Sequence, residues 1–159
     1  MDPDLPEEIR IGRQALTVLR ADLARAAPQE GCALLLGTTD GPLRQIDRVW
    51  PCSNIWEPEL ERRQRFLIDP REQLLAQRWG RQRGWTVLGS AHSHPASAPV
   101  PSALDRQLAF APTLMLILGR VSSASRPATA PLWELTAWWL EDEAQAPGLS
   151  RRLAWRMED

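Results

Sequence analysis

The sequence predicts an α/β (α+β) fold in which helices flank one mixed β-sheet. Short apolar runs bounded by glycine, proline or aspartate alternate with segments whose apolar residues recur at helical spacing. This alternation is typical of a sheet covered by helices. With 159 residues, 43% of them apolar, the chain has material for one hydrophobic core. We therefore expect a single domain over residues 1–159, with its core at about 10–140 and a polar tail at 141–159.

The first third of the chain predicts one helix and a β-hairpin. Three leucines fall on one face of residues 13–26, and Pro28 ends the predicted helix because proline cannot continue it. Residues 31–37 form an apolar run between two glycines, which predicts a buried strand. Asp40-Gly41 is a hairpin-turn signal, so we expect residues 43–50 to be the returning strand.

The middle of the chain predicts a loop, a strand and a helix. Prolines and an asparagine favour a loop over residues 51–62, and the apolar residues within 64–68 predict a strand. Asp69 followed by Pro70 is typical of an N-cap with proline at the first helical position. We expect the helix that begins there to reach about residue 83.

The next segment contains the two histidines of the chain. Residues 85–94 predict a strand, and three prolines keep residues 95–101 irregular. Residues 102–109 predict a short helix, and the apolar residues 114–118 predict a further buried strand.

The last part of the chain is rich in tryptophan. A loop rich in serine, proline and alanine over residues 122–131 leads to a predicted strand at 132–140, and the polar tail favours a helix. Trp138 and Trp139 point to opposite faces of that strand, so one is exposed unless another element or subunit covers it. Core packing is the default expectation, and a homodimer is the alternative arrangement.

Composition limits the classes of partner. All 19 basic residues are arginine, and 20 acidic residues balance them to a formal net charge of −1. Because no basic surplus is present to neutralise phosphates, nucleic acid is not expected to be the main partner. The absence of lysine excludes Schiff-base chemistry on a lysine side chain. It also indicates GC-rich coding, and hence a bacterial source.

Cysteine usage and the N-terminal segment predict a cytoplasmic protein. Cys32 and Cys52 are too few for a disulfide scaffold, and cytoplasmic thiols are expected to stay reduced. The first residues are acidic and lack the basic and apolar regions of a signal peptide. No window reaches about 18 apolar residues, so we expect no membrane span.

A candidate metal site is indicated by His92 and His94, the only histidines of the chain. Residues i and i+2 of a strand share a face, so the two imidazoles could converge on one ion. Asp105 follows the proline-rich loop and could supply a third ligand, which leaves the fourth position of a tetrahedral zinc open to water. From these residues alone, a polar strand end and a helix cap formed by Ser102 and Asp105 remain open interpretations.

These residues resemble the signature of a known enzyme family. His92-Ser-His94-Pro followed by Ser102-x-x-Asp105 is similar to the motif of the JAMM (JAB1/MPN/Mov34) metalloproteases. That motif also has an upstream glutamate before an apolar strand, which Glu30 matches.

The resemblance extends over about residues 10–140. Further similarities are Asn54, the segment 66–70 and residues 87–91. The chain departs from the pattern at Ala33, where relatives usually have glycine, although a small residue is retained. The resemblance implies an MPN/JAB1-like domain with the layered architecture of cytidine deaminases.

The resemblance also implies a role for each residue of the motif. His92, His94 and Asp105 are expected to bind one zinc ion per chain. Glu30 is expected to be the general base that takes a proton from the attacking water and delivers it to the leaving amine. The Ser102 hydroxyl is expected to donate a hydrogen bond to the oxyanion.

The activity implied by the resemblance is hydrolysis of an amide bond after the C-terminal Gly-Gly of a ubiquitin-like or sulfur-carrier protein. The sequence shows no long insertion after Asp105 of the kind used for ubiquitin chains, which favours a small carrier protein. Trp56 is a candidate for the wall of the substrate groove. The carrier tail would bind in an extended conformation.

Other classes of function fit these residues less well. Some MPN domains are metal-free protein-binding scaffolds, and a DNA-repair-associated branch has a similar histidine motif. The complete ligand set argues against the first, and the near-neutral charge argues against the second. A zinc nucleobase deaminase needs a second cysteine after Pro51-Cys52, which is missing. A cysteine hydrolase would need a histidine that is better explained as a ligand.

Overall fold

A computed structural model describes residues 5–121, 127, 129, 132–142 and 149–159. Within these residues it contains three α-helices, a short 3₁₀ helix and seven strands. In chain order they are β1 (Glu8–Gly12), α1 (Arg13–Arg25), β2 (Cys32–Asp40), β3 (Leu43–Cys52), the 3₁₀ helix (Glu59–Arg63), α2 (Pro70–Arg81), β4 (Thr86–His94), α3 (Ala103–Leu108), β5 (Thr113–Arg120), β6 (Trp133–Leu140) and β7 (Ser150–Glu158). No helix among the described residues is long and apolar enough to cross a membrane.

The strands form one mixed sheet in the order β1-β3-β2-β4-β5-β6-β7, and pairing between β1 and β7 closes it into a barrel. The hairpin β2–β3 and the pairs β2–β4, β5–β6 and β6–β7 are antiparallel. Strands β4 and β5 are parallel, so their connection crosses over through α3. The predicted fold class, a mixed sheet flanked by helices, is therefore confirmed.

The main core lies between α1 and the sheet. The buried face of α1 consists of Ala15, Leu16, Leu19 and Leu23. It packs against apolar side chains of the strands, among them Ile9 and Ile11 of β1 and Leu116 of β5. Full burial of such an aliphatic side chain contributes roughly 1.5–3 kcal/mol, so this face holds α1 on the sheet.

The hairpin at Asp40-Gly41 and the helix cap at Asp69 form as the sequence predicts. Gly41 has φ of +56°, a conformation that glycine adopts without a steric penalty. Asp69 accepts a hydrogen bond from the backbone N–H of Arg71 at 2.9 Å, and Pro70 begins α2.

The structure differs from the sequence-based expectation in several places: β1 and the 3₁₀ helix were not predicted, and two further segments have another conformation. Residues 64–68 form no strand, because Phe66 stacks on His92 and Ile68 packs beside α2 instead of pairing with the sheet. The predicted helical tail is wrong for residues 150–158, which form β7 and pair with β1 and β6, and residues 143–148 of the tail lie outside the described residues. Most residues of the predicted loop 122–131 lie outside the described residues.

The tryptophans of β6 pack on both faces of the sheet. Trp138 contacts a small cluster that contains Met115, Ile117 and Leu140, and Trp139 packs against the main core. Both side chains are half-buried, in line with the default expectation of core packing.

Candidate metal centre and active site

Three polar side chains converge where β4 ends. His92 Nε2 and His94 Nε2 are 3.0 Å apart, and each lies 3.1 Å from Asp105 Oδ2 on α3. All three residues are buried. The two imidazoles share a face of β4 because they are two residues apart, and the crossover to β5 brings the carboxylate back to them.

The start of α3 fixes the aspartate. Ser102 Oγ accepts the Asp105 N–H at 3.0 Å, and Asp105 Oδ2 accepts the Ser102 N–H at 2.9 Å. This is a complete capping box. The cap interpretation and the cluster interpretation are therefore compatible, since the same oxygen caps the helix and faces both histidines.

Glu30 joins this group from the turn before β2. A ligand atom from each of Glu30, His92, His94 and Asp105 lies within 4.8 Å of the others. Glu30 is only 5% exposed, and its Oε1 has no hydrogen-bond partner among the described residues. The next residue, Gly31, is bonded to Ser93 of β4: its N–H donates to Ser93 Oγ at 2.8 Å, and its carbonyl accepts the Ser93 N–H at 3.0 Å.

The histidine rings are held by different contacts. The Nδ1–H of His94 donates to the Ala98 carbonyl at 2.8 Å, because a carbonyl can only accept. In the neutral ring the lone pair then lies on Nε2, the atom available to a metal, and in the protonated ring Nε2 donates to Asp105. His92 stacks on Phe66, with ring centroids 4.4 Å apart and planes inclined by 21°. Its Nδ1 has no partner among the described residues.

The two carboxyl groups of the cluster have opposite pKa shifts. Burial raises the pKa of Glu30 to about 8. Of the neighbouring groups, His94 acts to lower this pKa and Asp105 acts to raise it. For Asp105, burial also acts to raise the pKa, but hydrogen bonds from both imidazoles and from the Ser102 N–H lower it well below its usual range. Asp105 is thus the stronger acid and Glu30 the stronger base of the two carboxyl groups. Carboxyl groups whose pKa values are pushed apart are typical of different catalytic roles.

The histidines also differ in pKa. Burial lowers the pKa of His92, which favours its neutral form. Burial acts in the same direction on His94, but hydrogen bonds to Asp105 and to the Ala98 carbonyl outweigh it and raise the pKa of His94.

The donor set fits a zinc ion. A tetrahedral zinc with bonds of about 2.0–2.1 Å requires ligand atoms about 3.3 Å apart. The three candidate ligand atoms, His92 Nε2, His94 Nε2 and Asp105 Oδ2, form a triangle with sides of 3.0 to 3.1 Å. Two imidazole nitrogens and a carboxylate are a common zinc ligand set. The unpartnered Glu30 oxygen beside this triangle is a polar group that needs a partner.

Sequence reasoning did not foresee how Glu30 is held. The Glu30 N–H donates to the Arg62 carbonyl at 2.7 Å, and the Glu30 carbonyl accepts from Asn54 Nδ2 at 3.0 Å. The Asn54 side chain also bonds to the backbone of Trp56, Arg65 and Leu67. The single asparagine of the chain, placed in a long polar loop, was the only sequence signal of this role.

Phe66 was likewise assigned to a strand and not to the site. Trp56 is the candidate groove residue. The guanidinium carbon of Arg65 lies over the Trp56 indole, 5.5 Å from the ring centroid. Its indole Nε1 is buried without a partner in the described part of the chain.

Cys32 and Cys52 are opposite each other on β2 and β3, and both are free thiols. Burial raises the pKa of each to about 12. Neither has the lowered pKa of an activated cysteine nucleophile.

Two curated proteins are similar in sequence to this chain. A desampylase from Haloferax volcanii is 33% identical over 103 residues, which cover 65% of this chain and 70% of that protein. A probable TtuB-protein conjugate cleaving protease from Thermus thermophilus is 34% identical over 95 residues. The matched region covers 60% of this chain and 59% of the Thermus protein.

Solved structures with the same fold cover nearly the whole chain. A solution structure of a protein from Desulfitobacterium hafniense has a TM-score of 0.76 and 30% identity, and the match covers 95% of this chain and 93% of that one. A JAB1/MPN domain protein from Archaeoglobus fulgidus has a TM-score of 0.53 over 94% of this chain and 99% of that one. At 19% identity, this second likeness supports the fold alone.

The family model described as prokaryotic homologs of the JAB domain matches residues 12–141. This range contains the histidine pair, Asp105 and Glu30. The matched range also spans the elements that position these residues, from the turn before β2 through β4 to α3. The chain therefore belongs to the prokaryotic JAB family.

Proposed function

We propose that this protein is a zinc-dependent metallopeptidase that hydrolyses the amide bond after the C-terminal Gly-Gly of a ubiquitin-like or sulfur-carrier protein in the cytoplasm. The observation that carries the proposal is the buried convergence of Glu30, His92, His94 and Asp105. The names of the relatives, a desampylase and a conjugate cleaving protease, support cleavage of a protein conjugate.

In this proposal three atoms hold the metal: His92 Nε2, His94 Nε2 and Asp105 Oδ2. When bound, zinc supplies a Lewis acid that polarises the scissile carbonyl and makes water a usable nucleophile near neutral pH. The capping box keeps Asp105 Oδ2 directed at the imidazoles, so the carboxylate is oriented before a metal or substrate arrives.

Glu30 moves the proton. Its carboxylate takes a proton from the attacking water and passes it to the nitrogen of the leaving amine, so that the amine departs in neutral form. The carboxyl group is suited to this because its surroundings are buried and its Oε1 has no competing partner among the described residues. Backbone bonds on either side of its Cα hold it in place.

Ser102 stabilises the negative charge that develops on the carbonyl oxygen. Its hydroxyl oxygen already accepts the Asp105 N–H, and this leaves the hydroxyl proton to donate to the oxyanion. Ser102 is exposed at the start of α3, where a substrate can reach it. One such donor is worth roughly 3 kcal/mol in the transition state.

The Gly-Gly preference follows from crowding at the site. The carrier tail would lie extended between α3 and the loop that carries Trp56 and Phe66. Phe66 stacks on His92 and covers one face of that imidazole, so a substrate side chain cannot lie on that face. Glycine has no side chain to clash there.

The test uses zinc-loaded protein and carrier-protein adducts that end in Gly-Gly-Cys or in Gly-Ala-Cys, with products followed by mass spectrometry. We expect cleavage only after Gly-Gly. Glu30→Gln should keep one zinc per chain and lose about a hundredfold or more in turnover, since general base catalysis contributes that much. Glu59→Gln, the same change at an exposed position, should behave as the parent protein.

Each outcome separates one part of the proposal. Equal cleavage of both adducts would refute the Gly-Gly specificity and leave a metallopeptidase. Loss of zinc from Glu30→Gln would contradict its role as the base. No cleavage of any carrier adduct by the zinc-loaded protein would favour a protein-binding scaffold instead.

A further inference from the structure

The loop between β4 and α3 is anchored by its prolines. Pro99 and Pro101 are buried, although Ala96, Ser97 and Ala98 around them are exposed. The exposed Ala98 carries the carbonyl that accepts the His94 Nδ1–H at 2.8 Å. The position of a metal-facing ring therefore depends on what holds this loop.

Two side chains of the tryptophan-rich strand β6 hold the loop at Pro99. The indole N–H of Trp138 donates to Thr136 Oγ1 at 2.8 Å, and the Thr136 hydroxyl donates to the Pro99 carbonyl at 2.6 Å. The indole N–H is also 3.2 Å from the Pro99 carbonyl. Thr136 is 2% exposed, so these bonds are shielded from water. Hydrogen bonds in such a chain strengthen one another.

A glycine in β5 lets the loop come this close. Gly119 pairs with His94 in the sheet. A Cβ at Gly119 would lie 2.4 Å from the Pro99 nitrogen and 2.8 Å from the carbonyl carbon of Ala98. The neighbouring Arg120 N–H donates to the Ser97 carbonyl at 2.8 Å. The loop thus lies directly on the backbone of β5, at the peptide that contacts His94.

We propose that Thr136 and Trp138 are positioning residues for His94: they hold the loop at the Pro99 carbonyl, so that the carbonyl of the preceding residue, Ala98, stays bonded to the Nδ1–H of the ring and directs Nε2 at the metal site. The proposal rests on the proposed function only in taking His94 Nε2 as a zinc ligand. In this proposal Thr136 and Trp138 act on the site without contacting the metal or the substrate.

The chemistry of imidazole explains why the peptide matters. A neutral ring carries one proton, and an acceptor at Nδ1 keeps that proton there, which leaves the lone pair on Nε2 for a metal. Partners of this kind around a ligating histidine typically change metal affinity by about 10–100-fold when removed. Without Thr136 and Trp138, the Pro99 carbonyl loses the donors that hold it, and the ring can rotate away from Asp105.

The first experiment measures zinc affinity by competition with a chelator, with zinc alone as the probe. Thr136→Val removes the hydroxyl at nearly constant shape, and we expect about a tenfold weaker zinc affinity. Adding Trp138→Phe should bring the loss closer to a hundredfold. Thr136→Ser keeps the hydroxyl and should restore most of the affinity.

A matched control is Trp155→Phe. The Trp155 indole also donates to a backbone carbonyl of β6, that of Leu135, at 2.8 Å, but Trp155 packs against the main core and not on the loop. This variant loses the same kind of bond from the same barrel and should keep the parent zinc affinity. An equal loss of affinity in Trp155→Phe would overturn the proposal, because it would indicate general destabilisation.

The second experiment follows the His94 Nδ1 proton by NMR, which is simple because the chain has only two histidines. Its exchange with solvent should be slow in the parent protein, with or without zinc, and fast in Thr136→Val. Unchanged exchange and unchanged zinc affinity in the double variant would refute the role of β6. If the parent protein bound no zinc, the proposed function would fail, while the exchange measurement on metal-free protein would still decide this proposal.

Discussion

Replacing Asn54 should loosen the segment that carries Glu30 while leaving the three metal-facing residues in place. The Asn54 amide donates to the carbonyls of Glu30 and Arg65 at 3.0 and 2.9 Å. Its oxygen accepts the N–H groups of Trp56 and Leu67 at 3.1 and 3.2 Å. The four partners fix the orientation of the amide, because both donors face carbonyls and both acceptor positions face N–H groups.

The magnitude follows from these four bonds. A net hydrogen bond contributes about 0.5–1.5 kcal/mol to the free energy of unfolding, so four contribute about 2–6 kcal/mol. Asn54 is half-buried, and water can partly replace its bonds, which favours the lower half of that range. We expect Asn54→Ala to cost about 2–4 kcal/mol and to lower the melting temperature by about 5–15 °C.

Asn54→Asp removes the two hydrogen bonds that the amide donates and keeps the two that its oxygen accepts. The new carboxylate can still accept from Trp56 and Leu67, but it places negative charge against the carbonyls of Glu30 and Arg65. Protonation of that carboxyl restores one donor, so its folded-state pKa should lie above the unfolded value. The stability deficit of the variant should therefore shrink as the pH falls and grow as the pH rises.

The assay combines thermal unfolding between pH 4 and pH 8 with turnover and zinc content. Gln64→Glu is the matched control, since it makes the same amide-to-acid change at an exposed position of the same loop. Turnover of Asn54→Asp should fall more than its zinc affinity, because Asn54 contacts the Glu30 backbone and none of the histidines. A melting temperature within 2 °C of the parent protein for both Asn54 variants would refute the reasoning, as it would correspond to less than about 1 kcal/mol.

Three further predictions concern the site. The double change His92→Ala and His94→Ala should abolish the single zinc equivalent found by metal analysis, and full retention of zinc would contradict the site assignment. Ser102→Ala should lower kcat about a hundredfold or more at nearly constant KM, with a loss of about 1 kcal/mol in stability from the missing cap, whereas an unchanged kcat of the zinc-loaded variant would contradict its role at the oxyanion. Because burial raises the pKa of Cys32 and Cys52 to about 12, alkylation of the folded protein at pH 8 should be on the order of a thousandfold slower than that of a model thiol. The rate should increase with rising pH, and rapid labelling at pH 8 would contradict the raised pKa values.

The elements with strong local signals could be predicted from the sequence. Leucines at helical spacing indicated α1, the glycine-bounded apolar run indicated β2, and Asp69-Pro70 marked the start of α2. The strands near the two ends of the sequence, β1 and β7, could not be predicted in this way. In β7 only Leu153 is buried, and the pairing of β7 with β1 is a contact between distant parts of the sequence. The closure of the barrel depends on that contact.

For the candidate site, too, local features could be predicted and contacts between distant segments could not. The spacing of His92 and His94 and the cap at Asp105 are local, and the sequence indicated both. The contacts of Asn54 with Glu30, and of Thr136 with the Pro99 carbonyl, join segments that only the fold brings together. No periodicity or spacing rule predicts a hydrogen bond from a side chain to a distant backbone carbonyl.

The candidate ligands are directed at one point by contacts that serve the fold as well. Asp105 Oδ2 has more than one lone pair, so it can accept the Ser102 N–H and still face both imidazoles. The His94 ring is held through a loop that is itself bonded to β6, and the turn after Glu30 is bonded to β4. A metal that binds such a site has less side-chain freedom to remove, which favours binding. Substitutions that weaken zinc binding should therefore include residues that contact no ligand atom, and the Thr136 and Trp138 variants are the direct test of this expectation.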